Sequence, residues 1–187
     1  MQRARPEPGK FTYDDYVNFP DDGRRHELID GEHFVTPSPD RRHQEISLRL
    51  TVAIANCLRD RPAGRLYEAP LDVILSDFDV VEPDILYVSN ERSGILGKWV
   101  HGAPDLVVEI LSPSTRKVDE AIKRRLYDRV DVREYWIVDP ELEIVKVYRR
   151  DEGRRFPRVA ELARETTDAL TTPLLPGFSL SLAELFA

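Results

Sequence analysis

Between Asp40 and Arg61, apolar side chains return at steps of three and four: Ile46, Leu50, Ala53, Ile54, Cys57 and Leu58. A single stripe of this kind predicts one long helix with a buried face. From Leu66 onward the pattern changes. Leu66–Leu75 and Val80–Val88 are β-rich runs separated by the turn residues Ser76 to Asp79. Asn90–Pro104 is irregular, with glycines at 94, 97 and 102, and Leu106–Leu111 is apolar except for Glu109. Ser112-Pro113-Ser114-Thr115 then caps a helix expected over Arg116–Val130. Val132–Val138 and Leu142–Tyr148 follow as strands joined at Asp139-Pro140, and the Thr-, Pro- and Leu-rich tail ends in a short helix over Leu182–Phe186.

Upstream, Thr12–Phe19 reads as a short helix whose capping box pairs Thr12 with Asp15. His26–Ile29 and His33–Thr36 flank Asp30-Gly31, a strong two-residue hairpin signal. Pro37-Ser38-Pro39 breaks the chain before the long helix. Helix, strands, helix and strands in this order predict an α/β (α+β) fold: a mixed β-sheet with helices on its faces. The 187 residues suit one domain over 1–187, with residues 1–10 as a loose basic arm followed by no apolar stretch, hence not a signal peptide.

Two polar positions conflict with this pattern. Glu109 lies within Leu106-Val107-Val108-Glu109-Ile110-Leu111, and Asp84 within Val80–Val88. Runs like these are normally buried on both faces, and a buried carboxylate needs a cation or hydrogen-bond donors. An arginine partner for each is the plain structural alternative. Two such anomalies on adjacent strands converge more readily on one metal. Mg²⁺ suits them, because it prefers carboxylate and carbonyl oxygens and keeps waters for substrate to replace. Mn²⁺ is expected to substitute, and the main-chain carbonyl of Ile110 is a candidate third ligand.

Lys123 stands out by composition. The chain has 22 arginines and five lysines, so a surface cation here would by default be arginine. A lysine offers a compact charge with an adjustable pKa, suited to orienting water or stabilising charge on a phosphate. Asp119, Lys123 and Tyr127 share one helix face at four-residue steps, although a surface Asp–Lys pair would look the same. Glu27, in the early hairpin, is a weaker acidic candidate. For His43 and Gln44, which open the long helix, capping or surface roles are expected ahead of facing the substrate. Tyr135 and Trp136 are expected in the core.

The net charge of −7 argues against a protein that simply coats DNA. It does not exclude a nuclease, whose metal-binding carboxylates count in the tally without repelling substrate. Cys57 is the only cysteine, which removes an internal disulfide or cysteine zinc site and fits a reducing cytoplasm. No apolar run approaches a membrane span. Phosphate-loop, dinucleotide, serine-elbow and HExxH motifs are all missing, and the four histidines make no metal spacing.

Ordered along the chain stand Glu27-Leu28-Ile29-Asp30-Gly31-Glu32, Ser38-Pro39 with His43-Gln44, Glu82-Pro83-Asp84-Ile85, Val108-Glu109-Ile110-Leu111-Ser112-Pro113-Ser114-Thr115, Asp119 with Lys123 and Tyr127, and Glu134-Tyr135-Trp136-Ile137-Val138-Asp139. Together they resemble the Uma-type restriction endonuclease family of the PD-(D/E)XK nuclease superfamily. The resemblance implies a restriction-endonuclease-like core, a central mixed four-stranded sheet flanked by helices, extended by the N-terminal hairpin. It matches Asp84 to the family's PD aspartate, Glu109 to its second metal ligand and Glu27 to a further acidic position. Leu111 stands where the superfamily has its lysine, and Lys123 is the matching position on the following helix. A homodimer is also implied. Asp131 departs from the family, which has glycine there; aspartate tolerates the left-handed conformation moderately well.

The leading expectation is thus a Mg²⁺-dependent endonuclease acting on DNA. Two others stay open: a catalytically silent nuclease-fold module that binds nucleic acid or a protein partner, and a hydrolase of small phosphoesters.

Overall fold

A computed structural model describes residues 9–187. Most of the expected arm, residues 1–8, lies outside the described residues. The capping box forms as expected: Asp15 Oδ2 accepts from the Thr12 main-chain N–H at 2.8 Å and opens a one-turn helix α1, Tyr13–Tyr16. Strands β1 (Arg25–Ile29) and β2 (Glu32–Thr36) make the hairpin. Asp30 and Gly31 both take positive φ there, +50° and +74°, as a two-residue turn between twisted strands requires. Helix α2, Arg41–Asp60, begins at Asp40, whose carboxylate accepts the His43 N–H at 2.8 Å.

The two β-rich runs after α2 are each cut by a proline and yield four strands. Leu66–Leu75 becomes β3 (Gly64–Glu68) and β4 (Val73–Ser76), divided around Pro70; Val80–Val88 becomes β5 (Asp79–Val81) and β6 (Ile85–Ser89), divided at Glu82-Pro83-Asp84. Proline has no N–H for a ladder, so each run changes sheets there. Strands β7 (Val100–His101) and β8 (Leu106–Ile110) follow. The next helix covers the expected span, but Val118–Lys123 is π-helical, and the α-helical stretch α3 is Arg124–Arg129. Asp131 takes φ +68° at its end, the left-handed conformation anticipated there. Strands β9 (Glu134–Asp139) and β10 (Ile144–Arg149) pair antiparallel. The tail adds strands that sequence pattern misses: β11 (Arg158–Ala163), then β12 (Ala169–Leu170) and β13 (Leu180–Ser181), before α4 (Leu182–Leu185).

The main sheet has six strands in the order β11-β10-β9-β8-β6-β3, with β8 and β9 parallel and the other neighbours antiparallel. It is wider than the four-stranded core expected. The hairpin does not extend it, either. β1 and β2 join β5, β4 and β7 in a second sheet, β2-β1-β5-β4-β7. Period-two alternation explains how the layers stack. Ile85, Tyr87, Leu106, Val108, Trp136 and Val138 pack on Ile46, Leu50 and Ile54 of α2 and on α4. Leu86, Val88, Val107, Tyr135 and Ile137 pack on Leu126 and Tyr127 and on Val73, Val81 and Val100 of the second sheet. Burying a large side chain such as Trp136, which is fully enclosed, contributes a few kcal/mol, so truncation to alanine costs about 3–5 kcal/mol. The crossing at Glu82-Pro83-Asp84 thereby hangs Asp84 between the two sheets.

Candidate active site

Four acids and a lysine meet where the two sheets face each other. Glu27 comes from β1, Asp84 from the crossing, Glu109 from β8, and Asp119 and Lys123 from the π-helical turn; all are 5% exposed or less. Lys123 Nζ lies 2.8 Å from Glu27 Oε1, 3.0 Å from Glu109 Oε1 and 3.5 Å from Asp119 Oδ1. The Tyr127 hydroxyl donates to Glu109 Oε1 at 2.9 Å. Every acidic position singled out in the sequence is therefore in one cluster, including Glu27, the weakest of the signals. π-Helical turns recur at functional sites because they break the ordinary ladder to re-aim side chains. Here such a turn carries both Asp119 and Lys123.

Asp84 is held differently. Arg25 Nη1 donates to Oδ1 at 2.7 Å, while Oδ2 accepts from the Ile110 N–H at 2.8 Å and contacts His43 Nε2 at 3.0 Å. Neither Arg25 nor this role of His43 was visible in the pattern. His43 is no surface residue: it is 6% exposed, and its Nδ1 is buried with no hydrogen-bond partner among the described residues. The signal lay in helix periodicity, because His43 sits three residues before Ile46 and seven before Leu50, on the buried stripe. The arginine alternative thus holds for Asp84 but not for Glu109, whose only cationic contact among the described residues is the lysine.

Charge is unevenly balanced in the cluster. Four carboxylates face two permanent cations, Arg25 and Lys123. Burial pushes the Glu109 carboxyl well above the usual carboxylate range; Lys123 pulls it down, and Asp119, Asp84 and Glu27 push it up again. Burial likewise pushes Asp119 up to about 6 despite Lys123. At Asp84 burial is outweighed by His43, Arg25 and the Ile110 N–H, and the carboxyl is held down to about 2. An ionised Asp84 accepts, so His43 Nε2 carries the proton and donates. At Lys123 burial opposes the charge, but Glu109, Glu27 and Asp119 together hold its pKa well above the ordinary value. A lysine kept protonated stabilises charge and orients water; it is no general base.

Arg25, Glu27, His43, Glu109, Asp119 and Lys123 border a cavity of about 210 Å³, walled also by Ser112–Thr115 and by the Pro37-Ser38-Pro39 segment. Hard oxygen donors and a deficit of positive charge suit a divalent cation there. Among the described residues, however, no three His, Cys, Asp or Glu side chains are spaced to hold one, and Arg25 and Lys123 contact the carboxylates that would.

A mixed sheet flanked by helices, with an aspartate and a glutamate at its centre, places the protein in the restriction-endonuclease-like class. The chain belongs to the Uma2 family, described as "Putative restriction endonuclease", which matches residues 13–183. Among curated proteins it is similar to "Uncharacterized protein slr1290" of Synechocystis sp., 28% identical over 148 residues and 77% of each chain. A solved structure, a "putative nuclease belonging to DUF820" from Anabaena variabilis, superposes with a TM-score of 0.79 at 21% identity over 94% of this chain and 97% of that one, and so shares the fold. Among the described residues no helix is long and apolar enough to cross a membrane.

Proposed function

We propose that the protein is a metal-dependent endonuclease that hydrolyses DNA phosphodiesters at the Lys123 cluster. The observation that carries this reading is one buried lysine shared by three buried carboxylates that line a cleft open enough for a phosphate, with a fourth, Asp84, behind it. A purely structural arrangement has no reason to crowd acids in this way, since each uncompensated buried charge is costly. Asp84, Glu109 and the carbonyl of Ile110 would hold Mg²⁺ or Mn²⁺, which supplies an activated water and stabilises charge on the phosphate when bound. Arg25 and His43 fix the Asp84 carboxylate, and Tyr127 fixes Glu109. Lys123 stabilises the charge that develops on phosphate oxygens. Glu27 and Asp119 keep the lysine charged and aimed. A homodimer, as the family resemblance implies, would present two such clefts to a duplex.

Plasmid DNA incubated with Mg²⁺ or Mn²⁺ tests the proposal, run beside Lys123→Ala and Glu109→Ala. Cleavage by the wild type and not by either variant is expected. Cleavage that survives both substitutions overturns the assignment. Absence of Mn²⁺ binding by calorimetry would instead favour a silent binding module.

A further inference from the structure

A second, larger cavity of about 750 Å³ shares a wall with the acidic cleft: Arg25 and the Thr36–Pro39 segment border both, and Asp84 borders the larger one. Its volume falls in the range of roughly 300–1,000 Å³ usual for small-ligand sites. Aromatic rings line it. Tyr13 and Tyr16 stack at 6.2 Å, Tyr16 meets Phe19 edge-on at 5.7 Å, and Trp99, also on the wall, has Lys98 Nζ 4.9 Å from its ring centroid.

One wall residue keeps its carboxyl without a protein donor among the described residues. Glu82 is 8% exposed; its N–H donates to Glu27 Oε1 at 2.9 Å and its carbonyl accepts from Arg25 at 3.4 Å. Among the described residues nothing donates to its carboxyl. Its oxygens are not sealed off from solvent, so a donor entering the cavity that Glu82 lines can reach them. It sits near the Tyr16 hydroxyl, which donates to Asp72 at 2.9 Å and whose pKa is raised by burial, then by Asp72 and Glu82.

Flat aromatic faces, cations at the rim and a hydrogen-bond acceptor within are the equipment for an unpaired base. The acidic wall disfavours a free phosphate. We propose that this cavity is a base-binding subsite, which takes one unstacked nucleobase of the strand whose phosphate lies in the acidic cleft. The base stacks on Trp99 or the tyrosines, and the Glu82 carboxylate accepts from an exocyclic amine, as glutamate does from cytosine N4. The inference rests on the nuclease reading and names its substrate form, a strand with a base out of the stack.

Binding of fluorescein-labelled 12-mers to the full chain in EDTA tests it apart from cleavage. An oligo-dC strand should bind more tightly than the same strand with abasic sites at its centre. Trp99→Ala should weaken oligo-dC binding by about 5- to 150-fold, the measured range for base–aromatic stacking, and leave the abasic strand unaffected. Glu82→Gln should erase a preference for dC over dT. Tryptophan emission gives an independent readout: Trp136 is fully buried against Phe178, so quenching on binding should come from Trp99 and vanish in Trp99→Phe. Matching thermal melts would show that the variants fold. Equal binding of the base-bearing and abasic strands, unchanged oligo-dC affinity in Trp99→Ala, or no binding at all overturns the inference. Base-dependent binding without plasmid cleavage would leave the subsite standing and remove the nuclease reading; cleavage with base-independent binding would do the reverse.

Discussion

Glu109 and Glu134 lie on the adjacent parallel strands β8 and β9, both buried, yet they are treated in opposite ways. Glu134 has donors of its own: Trp136 Nε1 at 2.6 Å, Arg149 Nε at 2.6 Å and Thr172 Oγ1 at 3.1 Å. Asp139 accepts from Arg116, which also pairs with Glu141, and Asp105 Oδ2 accepts the Ser89 N–H while Arg92 and Arg133 lie beside its Oδ1. Glu109 instead shares Lys123 with two other acids. A buried carboxylate with private donors is part of the scaffold. One that must share a cation is held ready for something further, and that distinction separates site from support more sharply than burial does.

The comparison is most exposed to substitution of the two cations. Lys123→Ala should lower plasmid cleavage by at least about 10²-fold, the scale of losing one charge-stabilising group, and should also lower melting because it strands three buried carboxylates. Arg149→Ala should lower melting alone. It leaves Glu134 with an uncompensated buried charge, costs about 2–4 kcal/mol in denaturant unfolding, and spares cleavage by the folded fraction. Two losses of the same kind would erase the distinction.

Neutralising the glutamates sharpens it. Glu109→Gln removes one crowded charge, and the metal-free protein should melt at the same or a higher temperature although cleavage is lost. Glu134→Gln should melt lower, by about 1–3 kcal/mol, because it weakens three charge-assisted bonds.

The smallest effect concerns acid. Burial raises the Asp139 carboxyl, but Arg116 and the N–H groups of Leu142 and Glu141 outweigh it, and its pKa is lowered. Its folded value lies below its unfolded one, so this pair stabilises the protein above about pH 4 and the contribution fades as pH falls through the folded value. Arg116→Gln should therefore move the acid-unfolding midpoint upward, and an unmoved midpoint would deny the pair a stabilising role.

Much of the site was legible in the chain, for a physical reason. Carboxylates inside β-branched runs violate local patterning, and Asp84 and Glu109 violate it conspicuously; Lys123 stood out because lysine is scarce here. Asp30-Gly31 followed from turn preference, and the conformation of Asp131 from the glycine that the family resemblance puts there. Arg25 was not legible, and the burial of His43 was legible only through its spacing to Ile46 and Leu50. An arginine at the edge of a hairpin looks like any surface cation until the fold carries Asp84 59 residues away to meet it.

The sequence by itself determined which groups are out of place: local propensity and periodicity act over a few residues, and a charge in an apolar run is visible at that range. Only the tertiary structure decided what those groups meet. Prolines cut the two long β runs, split them between sheets, and so set the Glu82–Asp84 crossing between the acidic cleft and the aromatic cavity. Partnership between charges depends on distance in space, and spacing along the chain does not encode it.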